Sequence, residues 1–282
     1  MLTPYETTIY RDITHWENQG PTMFTRVGRL ASAPAEWIAG TLLPPKIRDM
    51  AGETLARLLT HTNDAIHRTT DIGPIFIRAQ KHGHRIIEPG HLRTYHMPLS
   101  DDLAQFFARR HVNTTMITGG LAGLGGFALA AIDIPMLFSV NLRMIQHVAV
   151  SYGYDLSDPV ERHFALQLFQ AAAGDPKTKI GLLQELVLVR RALQEATLAE
   201  MAGSSAVATG LVGLRKMAAQ VGIELTEKKM LAMVPIIGAG IGAGFNYLFT
   251  KQVATAATMG YRKRFLQEKY PGLITIEGEV VE

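Results

Sequence analysis

The chain of 282 residues contains no cysteine, which excludes disulfides, thiolate metal sites and thiol nucleophiles. Charged residues make up only 19%, and the 28 basic and 25 acidic residues nearly balance. The formal charge of +3 does not favour nucleic-acid binding, because the basic residues form no long block. Hydrophobic residues reach 47%, so the chain lies at the apolar edge of globular proteins and can bury a large core.

Targeting signals are also missing. Residues 1–12 carry Glu6, Arg11 and Asp12 and no apolar run, so a cleaved secretory signal is not expected. Neither end carries a lipidation motif. These observations predict a cytoplasmic protein.

Recognised catalytic motifs are absent as well: the chain has no HExxH, P-loop or GxSxG pattern. The glycines of residues 238–243 fit a dinucleotide fingerprint, and residues 233–237 could pass for the preceding strand. However, residues 251–265 contain no acidic residue, and the chain shows no βαβ pattern. His82 and His84 are weak candidates for zinc ligands, although solvated loop histidines are the simpler interpretation. We therefore expect neither a metal nor another cofactor.

What the sequence does contain is helical periodicity, with apolar residues three and four positions apart and no alternation typical of strands. It predicts an all-α fold, with residues 1–98 as N-terminal helices and connector, 99–270 as the helical core and 271–282 as a tail, all integrated into one domain. The connector at 70–98 is predicted to be rich in loops. Predicted helices span 3–18 and 43–69, and another begins at 100–102. Further helices are predicted at 114–131, 134–152, from 156–159 to 173, and at 178–201, 204–221 and 226–268.

Two segments combine small residues with an absence of charge: 116–132 and 230–250. The second is as long as a membrane span of about 20 residues. Small residues four apart in both segments would let helix backbones approach closely. Close packing in a core, a groove that binds lipid, and membrane insertion are the three interpretations, and Asp133 and Pro235 argue against stable spanning. The close-packing glycines are Gly119, Gly123, Gly126, Gly238, Gly240, Gly242 and Gly244.

A few polar residues lie within these apolar patterns. Asn141 and Asn246 are expected to be buried, where their amides need hydrogen-bond partners or a ligand headgroup. Ser139, Arg143 and the pair Gln146–His147 are predicted to share one solvated side of a helix. The basic residues Arg262, Lys263 and Arg264 are predicted to form a surface cluster that an anionic lipid surface would attract.

Several motifs resemble the EcsC family. They are the glycine run at 119–126, Asp133-Ile134-Pro135, the 141–146 stretch, Tyr152-Gly153-Tyr154-Asp155, and a second block from Val234-Pro235 to Tyr247. The resemblance covers nearly the whole chain. It implies a bacterial protein. The family is named after a protein encoded beside an ABC transporter linked to secretion, and it has no assigned catalytic residues.

Together these features predict a non-enzymatic protein that docks on the inner membrane face, with a lipid or a membrane protein as partner. An accessory role for a transporter or for secretion fits this prediction. Two alternatives stay open. One is a soluble helical enzyme whose apolar pocket would use Asp133, Arg143, His147 and Asp155. The other is an assembly protein without lipid affinity. Insertion into the membrane is a variant of the membrane-docking hypothesis. Neither the ligand nor the oligomeric state follows from the sequence.

Overall fold

The computed structural model describes residues 2–19, 66, 68–122, 126–155, 157–173, 176, 179–182, 186 and 238–270. For 116–122, 126–138 and 238–246 it describes the backbone only. The described part is helical and contains no strand, as predicted. Numbered in chain order, its six α-helices are α1 (Pro4–Asn18), α2 (Gly73–Lys81), α3 (Met97–Ala122), α4 (Gly126–Ser151), α5 (Pro159–Ala173) and α6 (Gly238–Lys269).

The first helix begins where its sequence predicts. The Thr3 hydroxyl accepts a hydrogen bond from the Glu6 backbone N–H, and the Glu6 carboxylate accepts one from the Thr3 backbone N–H. This capping box satisfies two backbone donors that the helix itself leaves free. The apolar stripe of α1 is buried at Ile9, Ile13 and Trp16. The helix therefore packs on the protein instead of standing apart.

The predicted connector at 70–98 contains more helix than expected. Gly73 and Pro74 begin α2 instead of forming a loop, because proline at the start of a helix loses no intrahelical hydrogen bond. A 3₁₀ helix follows at Pro89–Thr94. The prediction of a loop-rich connector is thus wrong for α2.

The boundaries of α3 and α4 also differ from the prediction. α3 begins at Met97, so Ser100 and Asp101 lie inside the helix and are buried, and they do not cap its start. α4 already begins at Gly126, which leaves Pro135 inside a helix that Pro135 was expected to open. Helical periodicity continues through both positions, and a single proline does not always end a helix. The start of α5 at Pro159 is as predicted, with the Asp158 carboxylate accepting the Val160 N–H.

Contacts between described side chains fix the directions of the long helices. The rings of His111 and His147 are hydrogen-bonded, and the Tyr152 hydroxyl donates to Asp101. Residue 111 of α3 therefore lies beside residue 147 of α4, and residue 101 lies beside residue 152, just after α4 ends. The two helices are antiparallel.

α4 and α6, in contrast, run in the same direction. Asn141 Nδ2 donates to Thr250 Oγ1 at 3.2 Å, and the Tyr152 and Tyr261 rings stack farther along both helices. The C-terminal end of α3 and the N-terminal ends of α4 and α6 therefore meet at one end of the bundle. Both predicted glycine-rich segments fall at this end.

One core cluster joins the helices. It includes Ile9 and Trp16 of α1, Leu142 of α4, Phe164 of α5 and Tyr261 of α6. Residues from the predicted segments 1–98 and 99–270 thus share a core. The helix α5 comes so close to α6 that a Cβ at Gly260 would lie 2.4 Å from the Leu168 Cδ2 atom. The predicted helices at 43–65, 187–201, 204–221 and 226–237 and the tail lie outside the described residues.

Candidate functional site

The three basic residues 262–264 do not form the predicted surface cluster. Arg262, Lys263 and Arg264 are 6%, 7% and 2% exposed, respectively. A charge without a partner is costly to bury, so each of these cations needs an acidic partner. The structure supplies one for each of them from a distant part of the chain.

Arg262 pairs with Asp101 through two hydrogen bonds of 2.9 Å, from Nε and Nη2. The same carboxylate accepts the hydroxyl groups of Tyr5 and Tyr152. Burial, followed by the nearby Asp101 carboxylate, raises the pKa of the Tyr152 hydroxyl well above its ordinary value. Tyr152 therefore stays a neutral donor, and the four groups tie α1, α3, α4 and α6 together.

The other two cations are paired in the same way. Arg264 makes a bidentate contact with Glu161 of α5 at 2.5 and 2.6 Å, and Lys263 lies 2.5 Å from the Glu17 carboxylate of α1. On the last turn of α6, Lys269 contacts Glu6 at 2.7 Å. Residues 262–264 thus hold α1, α3 and α5 against α6, and the prediction of an exposed membrane-attracting cluster is wrong.

The polar residues of α4 are more buried than predicted. Asn141 is fully buried and bonded to Thr250, so its burial and its need for a partner are confirmed. Gln146 and His147 are buried too, which contradicts a solvated side at these two positions, whereas Arg143 is partly exposed and lies 3.4 Å from Thr69 Oγ1.

His147 is bonded on both sides of its ring. Its Nε2 lies 3.1 Å from the Asp71 backbone oxygen, which requires Nε2 to donate, and its Nδ1 lies 2.9 Å from His111 Nε2. Because Nδ1 must then accept, His111 donates to it. Burial, followed by the neighbouring His147, Arg143 and Arg110, lowers the pKa of His111 to about 3. Burial also lowers the pKa of His147.

The four residues of the enzyme hypothesis are not brought together by the described contacts. Asp155 is exposed and accepts hydrogen bonds from the Ser157 N–H and hydroxyl, which explains it as a turn residue. Arg143 and His147 contact Thr69, His111 and Asp71 instead. Asp133 lies in α4, where only the backbone is described.

The candidate metal ligands are separated. His82 Nε2 lies 3.1 Å from an Asp102 oxygen, whereas the His84 ring packs edge-on against Tyr95. Within the described residues, no group of three or more potential ligands is placed to hold a metal ion.

The predicted glycine positions lie in helices where they are described. Gly119 belongs to α3, Gly126 to α4, and 238, 240, 242 and 244 to α6, whereas Gly123 lies outside the described residues. Asn246 lies in α6, again with only its backbone described. How closely the helices pack at these positions stays a prediction.

A second set of basic residues, which the sequence analysis did not single out, lies at the level of the bundle where the uncharged end begins. Arg109 and Arg110 are the last charged residues of α3, Lys251 is the first of α6, and Arg143 is the first basic residue of α4. Because Asn141 contacts Thr250, Arg143 and Lys251 lie on neighbouring turns of α4 and α6. We call Arg109, Arg110, Arg143 and Lys251 the basic belt.

The belt is accessible. Arg109, Arg110 and Lys251 are exposed, and among the described residues none of the three is ion-paired. Exposed apolar side chains accompany them, with Phe106 at 42% and Leu248 at 46% exposure. Beyond the belt, the ends of α3 and α6 carry no charge, and the start of α4 carries only Asp133.

A surface cavity of about 490 Å³ opens beside the belt. Its lining includes three arginines, Arg78, Arg109 and Arg110, together with Phe106 and Asn113. Its one acidic residue among the described lining is Asp102, which Arg78 engages through Nε and Nη2 at 3.1 and 2.9 Å. The cavity is therefore cationic.

No helix in the described part of the chain combines the length and the apolarity needed to cross a membrane.

Comparison with known proteins identifies the family of the chain. The EcsC protein family model matches residues 7–266. The chain belongs to the EcsC family. The match begins within α1 and ends just after the buried basic residues of α6, so it covers residues 262–264 with their acidic partners and also the belt.

Two relatives from Bacillus subtilis (strain 168) are similar to the chain. The uncharacterized protein YdbA is 28% identical over 178 residues, which cover 63% of this chain and 62% of YdbA. Protein EcsC is 23% identical over 149 residues, which cover 52% of this chain and 55% of that protein. The matches thus span less than two thirds of each relative. No solved structure matches the chain significantly.

Proposed function

We propose that this EcsC-family protein binds peripherally to an anionic membrane surface with the basic belt at the level of the lipid headgroups. The observation that carries the proposal is the position of the belt. Arg109, Arg110 and Lys251 are exposed and have no ion pair with any described residue, and they lie at the boundary between a charged and an uncharged part of the same bundle.

The charges of the belt suit a headgroup layer. A basic residue close to an anionic membrane contributes about 1 kcal/mol of attraction. Arginine and lysine side chains can also extend toward phosphates while their aliphatic stems rest on apolar surroundings. The belt is therefore suited to lie where the bilayer changes from polar to apolar.

Apolar groups at the belt add a second attraction. Phe106 lies one turn before Arg110, and Leu248 lies one turn before Lys251. Aromatic and leucine side chains beside cations are typical of surfaces that enter the interfacial region of a bilayer. The uncharged ends of α3 and α6 extend in the same direction and would deepen this contact.

The proposal replaces the buried residues 262–264 with the belt as the membrane-binding element. It keeps the peripheral location on the inner membrane face that the sequence suggested. A membrane protein, such as a transporter, is the other class of partner. An enzyme is less well supported, because the described contacts of Arg143, His147 and Asp155 are with other residues and not with one another.

Flotation of the purified chain with liposomes tests the proposal. We expect it to float with vesicles that contain phosphatidylglycerol and to remain unbound with neutral phosphatidylcholine vesicles, with high salt weakening the bound form. Absence of flotation with the anionic vesicles at low salt would overturn the proposal and leave a protein partner as the better hypothesis.

A further inference from the structure

The cationic cavity beside the belt differs from the belt itself. The belt offers charges to any anionic surface, whereas the cavity is a concave site with several guanidinium groups around one space. Its volume of about 490 Å³ lies within the range of small-ligand sites, which is roughly 300–1,000 Å³. A concave site can distinguish between headgroups of similar charge.

The hydrogen-bonding capacity of the cavity is largely unused. Arg110 makes no side-chain hydrogen bond to another described residue, and Arg109 uses Nη2 to reach Gln105 Oε1 at 3.0 Å. Arg78 uses Nε and Nη2 for Asp102, which leaves Nη1 without a partner among the described residues. The exposed Asn113 amide adds another donor at the same place.

The geometry of the cavity is also partly fixed. The Arg78 guanidinium lies 3.9 Å from the centre of the Phe106 ring, and its Nη2 forms an ion pair with the Asp102 carboxylate. An arginine held in this way loses less side-chain entropy when it binds a ligand. Because Arg78 neutralises Asp102, the remaining charge of the cavity comes from Arg109 and Arg110.

Planar guanidinium groups bind phosphate oxygens in pairs, and a phosphomonoester presents three terminal oxygens with about −1.5 to −2 charges at neutral pH. A phosphodiester presents only two such oxygens and one charge. Resting on the proposed membrane function, we propose that this cavity binds the phosphomonoester headgroup of a membrane lipid such as phosphatidic acid. The belt would supply general attraction, and the cavity would supply selectivity.

The test compares two anionic vesicles, one containing phosphatidic acid and one containing phosphatidylglycerol, adjusted to the same electrophoretic mobility. We expect the wild-type chain to bind the phosphatidic acid vesicles about 5-fold more tightly, since one additional bidentate contact is worth about 1 kcal/mol. Equal binding to both vesicles would overturn the cavity proposal while leaving the membrane function intact. Binding to neither vesicle would instead contradict the membrane function.

Charge-conserving variants separate the cavity from the belt. R109K/R110K keeps both charges but loses the planar donors, so the ratio of its affinities for phosphatidic acid and phosphatidylglycerol vesicles should fall from about 5 to about 1. The matched variant K251R changes a belt residue that does not line the cavity and should keep the preference. A preference that survives in R109K/R110K would contradict the proposal.

Competition with glycerol 3-phosphate identifies the source of the phosphomonoester. This soluble compound should displace the protein from phosphatidic acid vesicles only at millimolar concentration, because it lacks the membrane contacts of the belt. Displacement at micromolar concentration would overturn the assignment of a lipid headgroup and indicate a soluble phosphorylated ligand.

Discussion

The chain carries two short basic runs, residues 109–110 on α3 and residues 262–264 on α6, and they have opposite surroundings. The run on α6 is buried, and each cation meets an acid from another part of the chain, at Asp101, Glu17 and Glu161. The run on α3 is exposed and has no such acid among the described residues. Local charge density is similar in the two runs, so the distant partners decide whether a cation holds the fold together or remains free to bind a ligand.

The two runs also contact different helices. The paired cations contact α1, α3 and α5 from the C-terminal half of α6, whereas residues 109–110 mark the start of the uncharged end. Arg109 and Arg262 line one surface cavity, so the ion pairs, more than the distance between the runs, distinguish them. Variants in the two runs should therefore affect different properties of the protein.

The largest expected effect is on stability, from Arg264. In R264L the buried Glu161 carboxylate loses its bidentate partner, and removing one member of a buried pair costs about 3–5 kcal/mol. Urea unfolding followed by circular dichroism measures this loss. The matched variant R110L should change the free energy of unfolding by less than about 0.5 kcal/mol, because its side chain is exposed.

A double variant sharpens the comparison further. R264L/E161L removes both members of the pair and should recover much of the lost stability, since apolar replacements of a buried ion pair are often neutral. If R264L were as stable as wild type, the paired role assigned to residues 262–264 would be wrong.

A smaller effect is expected on membrane binding, from the exposed run. R109Q/R110Q removes two charges, and at about 1 kcal/mol each the vesicle partition coefficient should fall about 30-fold. Its free energy of unfolding should stay close to that of wild type. R11Q/R85Q, which removes two exposed charges outside the belt, serves as the control and should bind almost normally. A larger loss in the control than in the belt variant would count against the belt.

The last prediction concerns the pH dependence of stability, through His111 beside Arg110. Burial and the neighbouring His147 and arginines lower the folded-state pKa of His111 to about 3, whereas an unfolded histidine titrates near about 6.5. The unfolded chain therefore binds the proton first, and stability falls as the pH drops from about 6.5 toward 3.

The variant H111Q removes this proton uptake. Its free energy of unfolding should fall less steeply between pH 6.5 and 4.5 than that of wild type, by at most about 1.4 kcal/mol per pH unit for one proton. Chemical denaturation at a series of pH values gives the slopes. H15Q, at an exposed position of α1, should follow the wild-type slope, and an H111Q slope equal to that of wild type would contradict the assignment.

Local signals made part of this structure predictable. Thr3 and Glu6 form the capping box that starts α1, and Asp158 with Pro159 starts α5. The burial of Asn141 also followed from its place in an apolar stripe. Each of these features depends on residues close together in the sequence or on helical periodicity.

The paired state of residues 262–264 could not be predicted in this way, because the partner of Arg262 lies 161 positions away and that of Lys263 lies 246 positions away. The sequence contained only an indirect signal: Tyr261 and Phe265, directly before and after the run, both belong to the hydrophobic core. Residues Phe106 and Arg110 do show a helical spacing that suggests an amphipathic surface. Only the direction of α3 relative to α4 and α6 reveals that this surface borders the uncharged end.

The most direct test of the account is to locate the face that meets the bilayer. Because the chain lacks cysteine, N113C beside the belt and T14C on the exposed side of α1 can each carry one fluorophore without background labelling. With phosphatidylglycerol vesicles containing nitroxide-labelled lipids, the account predicts strong quenching at position 113 and little at position 14. Equal quenching at the two positions, or stronger quenching at position 14, would contradict the claim that the basic belt is the membrane-binding surface.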